Sequence, residues 1–191
     1  MRARGRGGNA VARRRLICDP AAMDQSAAMS QLQPTTRMAT PDDAVAIARM
    51  LHDFNTEFGV ASPPVEVLAD RLRTLMAGED TFAILAGDPP EGLALVTVRP
   101  NVWYAGPVAL LDEMYVVPDR RDRGIGSAVM GHLLAIARDR GFGLVEINVD
   151  EGDVDAQRFY GRHGFANTEE GSTERAFYFF QELSDEPRPP A

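Results

Sequence analysis

The chain has 191 residues, 45% of them apolar and 25% charged, a composition that suits one soluble domain with a real core. No run of about 18 apolar residues is present, which argues against a membrane-spanning helix. The net charge of −8 argues against a nucleic-acid-binding surface. The charge is uneven: Arg2, Arg4, Arg6, Arg13, Arg14 and Arg15 precede the first acid, Asp19, and the rest of the chain sets 14 arginines against 28 acids. A body of that sign favours the approach of a cationic molecule, although solubility alone would explain it. The single Cys18 cannot form an internal disulfide, so a reducing, cytoplasmic setting is expected.

Residues 1–35 show no sustained period and are expected to be disordered. The folded domain is expected over 36–183, with a flexible tail over 184–191. Thr40-Pro41-Asp42-Asp43 reads as a helix start, with proline in the first turn and acids behind it. Val45, Ile47, Ala48, Met50, Leu51 and Phe54 then give a helical face. A second helix follows Ser62-Pro63-Pro64, carrying Val67, Leu68, Leu72 and Leu75, and ends at Gly78. Thr81–Ala86 and Gly92–Arg99 read as two strands joined by a tight turn, and Val108–Val117 as a third. Ser127–Arg140 is a helix closed by Gly141, and Leu144–Val149 a short apolar strand. Asp153–His163 is a helix stopped by Gly164. Phe165–Thr168 and Arg175–Glu182 read as two final strands. The order is mixed α/β with mainly antiparallel neighbours and one parallel crossover through the helix between Val117 and Leu144.

The segment Pro118-Asp119-Arg120-Arg121-Asp122-Arg123-Gly124-Ile125-Gly126-Ser127 joins an apolar strand to a helix through a basic turn and two glycines. The first N–H groups of a helix have no internal acceptor, and glycine lets a ligand approach the main chain closely. Together with Arg121 and Arg123, such a turn suits a diphosphate. A dinucleotide fingerprint would need a third glycine, where Val129 stands, and no phosphate-loop lysine motif exists.

Three pieces in order resemble the GNAT superfamily of N-acetyltransferases. They are the strand Leu111–Val117 with Arg121-x-x-Gly124-Ile125-Gly126, the short strand from Leu144, and Asp153-x-x-Ala156-x-Arg158-Phe159-Tyr160-Gly161-Arg162-His163-Gly164-Phe165. The resemblance spans residues 36–182. It implies a three-layer fold with a twisted, mostly antiparallel sheet splayed between its fourth and fifth strands and helices on both faces. Acetyl-CoA is then expected in the splay as co-substrate. Its pantetheine would run along the backbone of Met114, Tyr115, Val116 and Val117, and its diphosphate would meet Arg121, Asp122, Arg123, Gly124, Ile125, Gly126 and Ser127. Two positions depart from the family pattern: Asp122 replaces the usual glycine, and Asp153 the usual asparagine that contacts the cofactor.

By the same resemblance Tyr160 is the candidate acid that protonates the departing thiolate. Asp112 and Glu113 are candidate bases or amine-binding carboxylates, at a place where diamine acetyltransferases carry an acidic pair. Because a strand alternates faces, only one of the two is expected to point into the cleft. The implied activity is acetyl transfer to a primary amine of a small, cationic molecule by direct attack in a ternary complex. A non-catalytic acyl-CoA-binding module and a protein N-terminal or lysine acetyltransferase are the alternatives. The chain itself contains no lysine. No metal is expected, since His52, His132 and His163 have no ligand spacing. At the C-terminus of a helix, His163 is placed where a cation is favoured. Trp103 and Tyr104 would line an acceptor pocket or an interface. The resemblance also admits a homodimer through the last strand, with Phe177, Tyr178, Phe179 and Phe180; no nucleic acid or membrane partner is expected.

Overall fold

The computed structural model describes residues 34–169, 171–179 and 181. Residues 1–33 of the expected extension, Cys18 among them, and the tail 184–191 lie outside the described residues. A five-stranded sheet runs in sequential order through β1 (Thr36–Met38), β2 (Thr81–Ala86), β3 (Gly92–Arg99), β4 (Val108–Val116) and β5 (Leu144–Glu146). The first four strands are mutually antiparallel, and β5 joins β4 in parallel. The crossover is helix α3 (Ile125–Asp139), and a last helix, α4 (Val154–Arg162), follows β5.

Each face of the sheet has its own apolar layer. Helices α1 (Ala44–Glu57) and α2 (Val65–Met76) cover one face, where Ile47, Ala48, Leu72, Leu85, Leu93 and Tyr115 pack together. Helix α3 covers the other, with Ile84, Val96, Leu111, Val129, Met130 and Leu133 buried and Phe159 and Tyr160 of α4 against them. All six residues of β2 are buried, which is why Thr81–Ala86 lacks alternation and reads as a continuous apolar run. Each large side chain so buried contributes about 1.5–3 kcal/mol relative to exposure.

The start of α1 is held by Asp43. Its carboxylate accepts from Thr40 N–H at 2.8 Å and meets both terminal nitrogens of Arg37, on β1, at 2.7 Å. The Arg37 hydrogen bonds hold the Asp43 carboxyl well below the usual carboxylate range.

Three expectations differ from the structure. Strand β1 has no signal in the sequence: three residues carry no period, and the strand exists because it pairs with Ile84–Ala86. The strand expected over Leu144–Val149 stops at Glu146. The two final strands do not form among the described residues, where a single bridge joins Thr168 to Arg175. Aromatic and β-branched content marks residues able to pair, but a strand requires a partner edge. Phe177 and Phe179 are 70% and 88% exposed, and Phe180 and Glu182 lie outside the described residues.

Candidate active site

The site is built around β4, whose two edges are treated differently. Its inner edge pairs with β3 from Val108 to Val116, while pairing with β5 ends at Leu110 opposite Glu146. Beyond Leu110 the sheet opens. Val117 N–H donates to Glu91 O at 3.0 Å, just past the Gly92–Val116 pair. In an antiparallel ladder that register turns the N–H and C=O of Val116, and of Met114 two residues earlier, toward the open side. The backbone groups of Tyr115 therefore face β3, and its ring lies in the α1 layer, 5.6 Å from Phe54.

Within β4 the register slips: Leu95 stands opposite Glu113, but Val96 stands opposite Leu111. Asp112 is the extra residue of a β-bulge. Directly opposed residues share a face, so Glu113 lies on the side of Leu95, the α1/α2 side. Asp112 points the same way, because its Oδ2 accepts from Thr97 Oγ1 at 2.6 Å, and Thr97 lies two residues beyond Leu95 on β3. Strict alternation would have separated the two carboxylates; the bulge brings them to one side. Burial pushes Glu113 up to about 7, and the neighbouring Asp112 charge adds to it. Burial also raises Asp112, against the lowering effect of the Thr97 hydrogen bond. A carboxylate near 7 is matched to proton exchange at neutral pH.

After β4 the chain makes a short 3-10 turn over Pro118–Arg120 and enters α3 through Gly124. The first helical bond is Ala128 N–H to Gly124 O, so the N–H groups just ahead of it have no helical acceptor. Asp122 has φ +58° and Gly124 φ +79°. The left-handed turn at residue 122 explains why glycine is the ordinary choice there, and aspartate is among the residues that tolerate it best. Gly126 serves packing: a Cβ there would stand 3.3 Å from Phe159 Cε2 and 3.5 Å from Met114 Cε. Ile125 is buried beneath the turn. A row of free main-chain N–H groups at the head of a 15-residue helix, beside the opened edge of β4, fits a diphosphate followed by an extended amide-bearing arm.

Helix α4 closes the other wall. Asp153 caps it by accepting from Ala156 N–H at 2.9 Å. Tyr160 sits between Phe159 and Phe165, with ring centroids 5.3 and 5.7 Å away. Burial, with the charges of Asp153 and Glu113 adding, pushes Tyr160 up to about 12, so the phenol holds its proton at neutral pH. His163 Nε2 lies 3.2 Å from Ser127 Oγ and ties α4 to the first turn of α3. Position at a helix C-terminus favours a cation, but here burial and Arg162 lower its pKa.

Four residues of this site carried no sequence signal: Glu57, Thr97, Phe159 as a wall for Gly126, and His163 as a partner for Ser127. Each acts across a long sequence separation, 64 residues for Glu57 and Arg121. Trp103 lies in the loop between β3 and β4. The loop bearing it is set by Asn101, whose Oδ1 accepts from Trp103 and Tyr104 N–H at 2.8 and 2.7 Å, and the Trp103 ring is 87% exposed.

The family model described as Acetyltransferase (GNAT) family matches residues 47–165. An aminoglycoside N(6')-acetyltransferase type 1 from Stenotrophomonas maltophilia is 31% identical over 149 residues, covering 76% of this chain and 92% of that protein. A thialysine N-epsilon-acetyltransferase from Caenorhabditis elegans is 25% identical over 130 residues, 67% of this chain and 80% of that protein. The solved structure of a candidate acetyltransferase from Arthrobacter sp. FB24 is 54% identical, with a TM-score of 0.74 over 78% of this chain and 96% of that one.

Proposed function

The chain belongs to the GNAT acetyltransferase family and is an acetyl-CoA-dependent N-acetyltransferase; from that premise we propose that its acceptor is a primary amine of a small, cationic molecule. The observation that carries the proposal is the bulge at Asp112, which sets two carboxylates side by side on β4 just beyond the last residue paired with β5. Two acids on one side attract an ammonium group, and Glu113, near 7, can take its proton once it is bound. The relatives named for aminoglycosides and thialysine, and the acidic body, support the same substrate class.

Acetyl-CoA supplies an acyl group activated as a thioester. The main-chain N–H groups from Asp122 to Ser127 hold its diphosphate, and the outward N–H and C=O of Met114 with the N–H of Val116 hold its amide-bearing arm. Glu113 accepts a proton from the ammonium form of the acceptor, leaving a nitrogen lone pair free to form the new C–N bond. Asp112, fixed by Thr97, retains the positive end of the acceptor and keeps the Glu113 pKa raised. The Tyr160 Oη–H delivers a proton to the sulfur as the C–S bond breaks, and the second proton shed by the acylated nitrogen returns through solvent to the Tyr160 oxygen, leaving the amide, the free thiol and a protonated Glu113 that releases its proton to water.

The test is thiol release from acetyl-CoA across a panel of amines, with wild type, Tyr160→Phe and Glu113→Gln. Tyr160→Phe is expected to lower kcat by about 10²–10⁴-fold with little change in KM. In wild type, kcat/KM should rise with pH through about 7, and that limb should vanish in Glu113→Gln. Turnover of neutral or anionic amines in preference to diamines would overturn the substrate class.

A further inference from the structure

Three arginines follow one another closely in the loop ahead of α3, and the structure uses them differently. Arg120 Nε meets Glu91 Oε1 at 3.0 Å. Arg121 is more fully engaged. Its Nη1 and Nη2 donate to the two oxygens of Glu57, the last residue of α1, each at 2.7 Å, and its Nε donates to Val116 O at 3.0 Å. Its guanidinium also lies 5.8 Å from the centroid of the Tyr115 ring. Arg123 is exposed and has no carboxylate partner among the described residues.

We propose that Glu57 and Arg121 form a positioning clamp for the acetyl-CoA loop, and that Arg123, not Arg121, offers its guanidinium to the diphosphate. The inference rests on the acetyl-CoA reading above. A guanidinium with all three nitrogens bonded is a strut: it joins the end of α1 to the last outward carbonyl of β4, and so fixes where the loop leaves the strand. The bidentate pair suits arginine alone, because a lysine ammonium cannot span two carboxylate oxygens and a carbonyl with the same geometry. With Arg120 and Arg121 neutralised by acids from elsewhere in the fold, Arg123 is the arginine of this loop left exposed and without a carboxylate partner among the described residues.

The two possible roles of Arg121 predict opposite signs for one substitution. If Glu57 merely restrained a phosphate-binding arginine, Glu57→Gln would free it and tighten CoA. If the pair is a clamp, Glu57→Gln loosens the loop and weakens CoA. Calorimetric titration with CoA is made on wild type, Glu57→Gln, Arg121→Lys and Arg123→Gln, each checked by circular dichroism for an intact fold. The same set is assayed with acetyl-CoA and with S-acetylpantetheine, which lacks the diphosphate. Arg123→Gln is expected to weaken CoA by about tenfold, flatten its salt dependence and leave the KM for S-acetylpantetheine unchanged. Glu57→Gln should weaken CoA and raise KM for both thioesters, because the Val116 edge is disturbed along with the loop. Arg121→Lys should not restore wild-type behaviour. Tighter CoA binding by Glu57→Gln, or an Arg123→Gln variant indistinguishable from wild type, overturns the inference while wild type still binds. A wild-type chain that binds neither CoA nor acetyl-CoA overturns the acetyl-CoA reading itself, and this inference with it.

Discussion

Along its inner edge β4 pairs with β3 from Val108 to Val116, whereas along its outer edge it pairs with β5 over three residues only. On the inner side lie the fully buried strand β2 and the large side chains Ile84, Leu85 and Leu93, none of which is exposed. On the outer side β5 has partly exposed residues, and α4 has no fully buried one. One half of the molecule is a packed core and the other a held-open cleft. The contrast teaches that the two halves answer to different measurements. Perturbing the packed half should change stability and leave ligand affinity alone, and perturbing the cleft should change binding and turnover, with smaller effects on stability.

The largest effect that would sharpen this contrast is in the core. Leu93→Ala is expected to cost about 2–5 kcal/mol, by lost burial and a residual cavity. At about 2–4 °C per kcal/mol for a chain of this size, that is a fall in Tm of roughly 4–20 °C. CoA affinity measured well below the melting range should stay within about twofold of wild type, since Leu93 is fully buried and presents no surface to a ligand. Loss of CoA binding in parallel with stability would break the division into halves.

Next in size is the cleft carboxylate Glu113, whose folded pKa is raised from 4.5 to about 7. A carboxyl raised on folding prefers to be protonated in the native state. Its contribution is favourable below the unfolded pKa and is lost as pH rises through the folded one. Glu113→Gln, which stays neutral, should therefore match wild type in stability near pH 4 and exceed it at pH 8 by about 1–2 kcal/mol, after allowance for partial exposure, with Tm raised accordingly. The same variant is expected to be catalytically impaired, so stability and activity move in opposite directions. Thermal melts at the two pH values decide it; equal gains at both would place the effect in packing, not charge.

The smallest effect is at Gly126. The Cβ of Gly126→Ala would meet the Phe159 ring at 3.3 Å, a gap that a small movement of α4 can relieve. Tm should fall by only about 1–3 °C, a cost of the order of 1 kcal/mol. The KM for acetyl-CoA should rise several-fold, because α3 and α4 line the cleft together. An unchanged KM would show that the spacing of these helices is not what shapes the cofactor site.

Much of the fold was legible in the sequence because local physics specifies it. Proline, glycine and the 3.6-residue period place α1 to α4, and the apolar runs place β2, β3 and β4. The order of strand, glycine turn and helix pointed to the anion site for the same reason, since a helix start leaves its N–H groups free wherever it occurs. Period alone could not show the bulge at Asp112. A bulge is a difference in count between two strands, and it appears only when β3 and β4 are aligned. The apparent separation of Asp112 from Glu113 followed from treating β4 without its partner. The last aromatic run misled in the same way, because strand propensity states what a segment could pair with and not that a partner is present.

The sequence by itself determined the four helices, strands β2, β3 and β4, the helix start that can hold a diphosphate and the family to which these motifs belong. Only the tertiary structure decided that both carboxylates share one side, that Arg121 is tied to Glu57 while Arg123 has no carboxylate partner among the described residues, and that Gly126 makes room for Phe159. The physical reason is range. Caps, turns and helical periods arise from neighbours within a few residues, whereas the pKa of a carboxylate and the partner of a guanidinium are set by groups tens of residues away that folding brings within 3 Å.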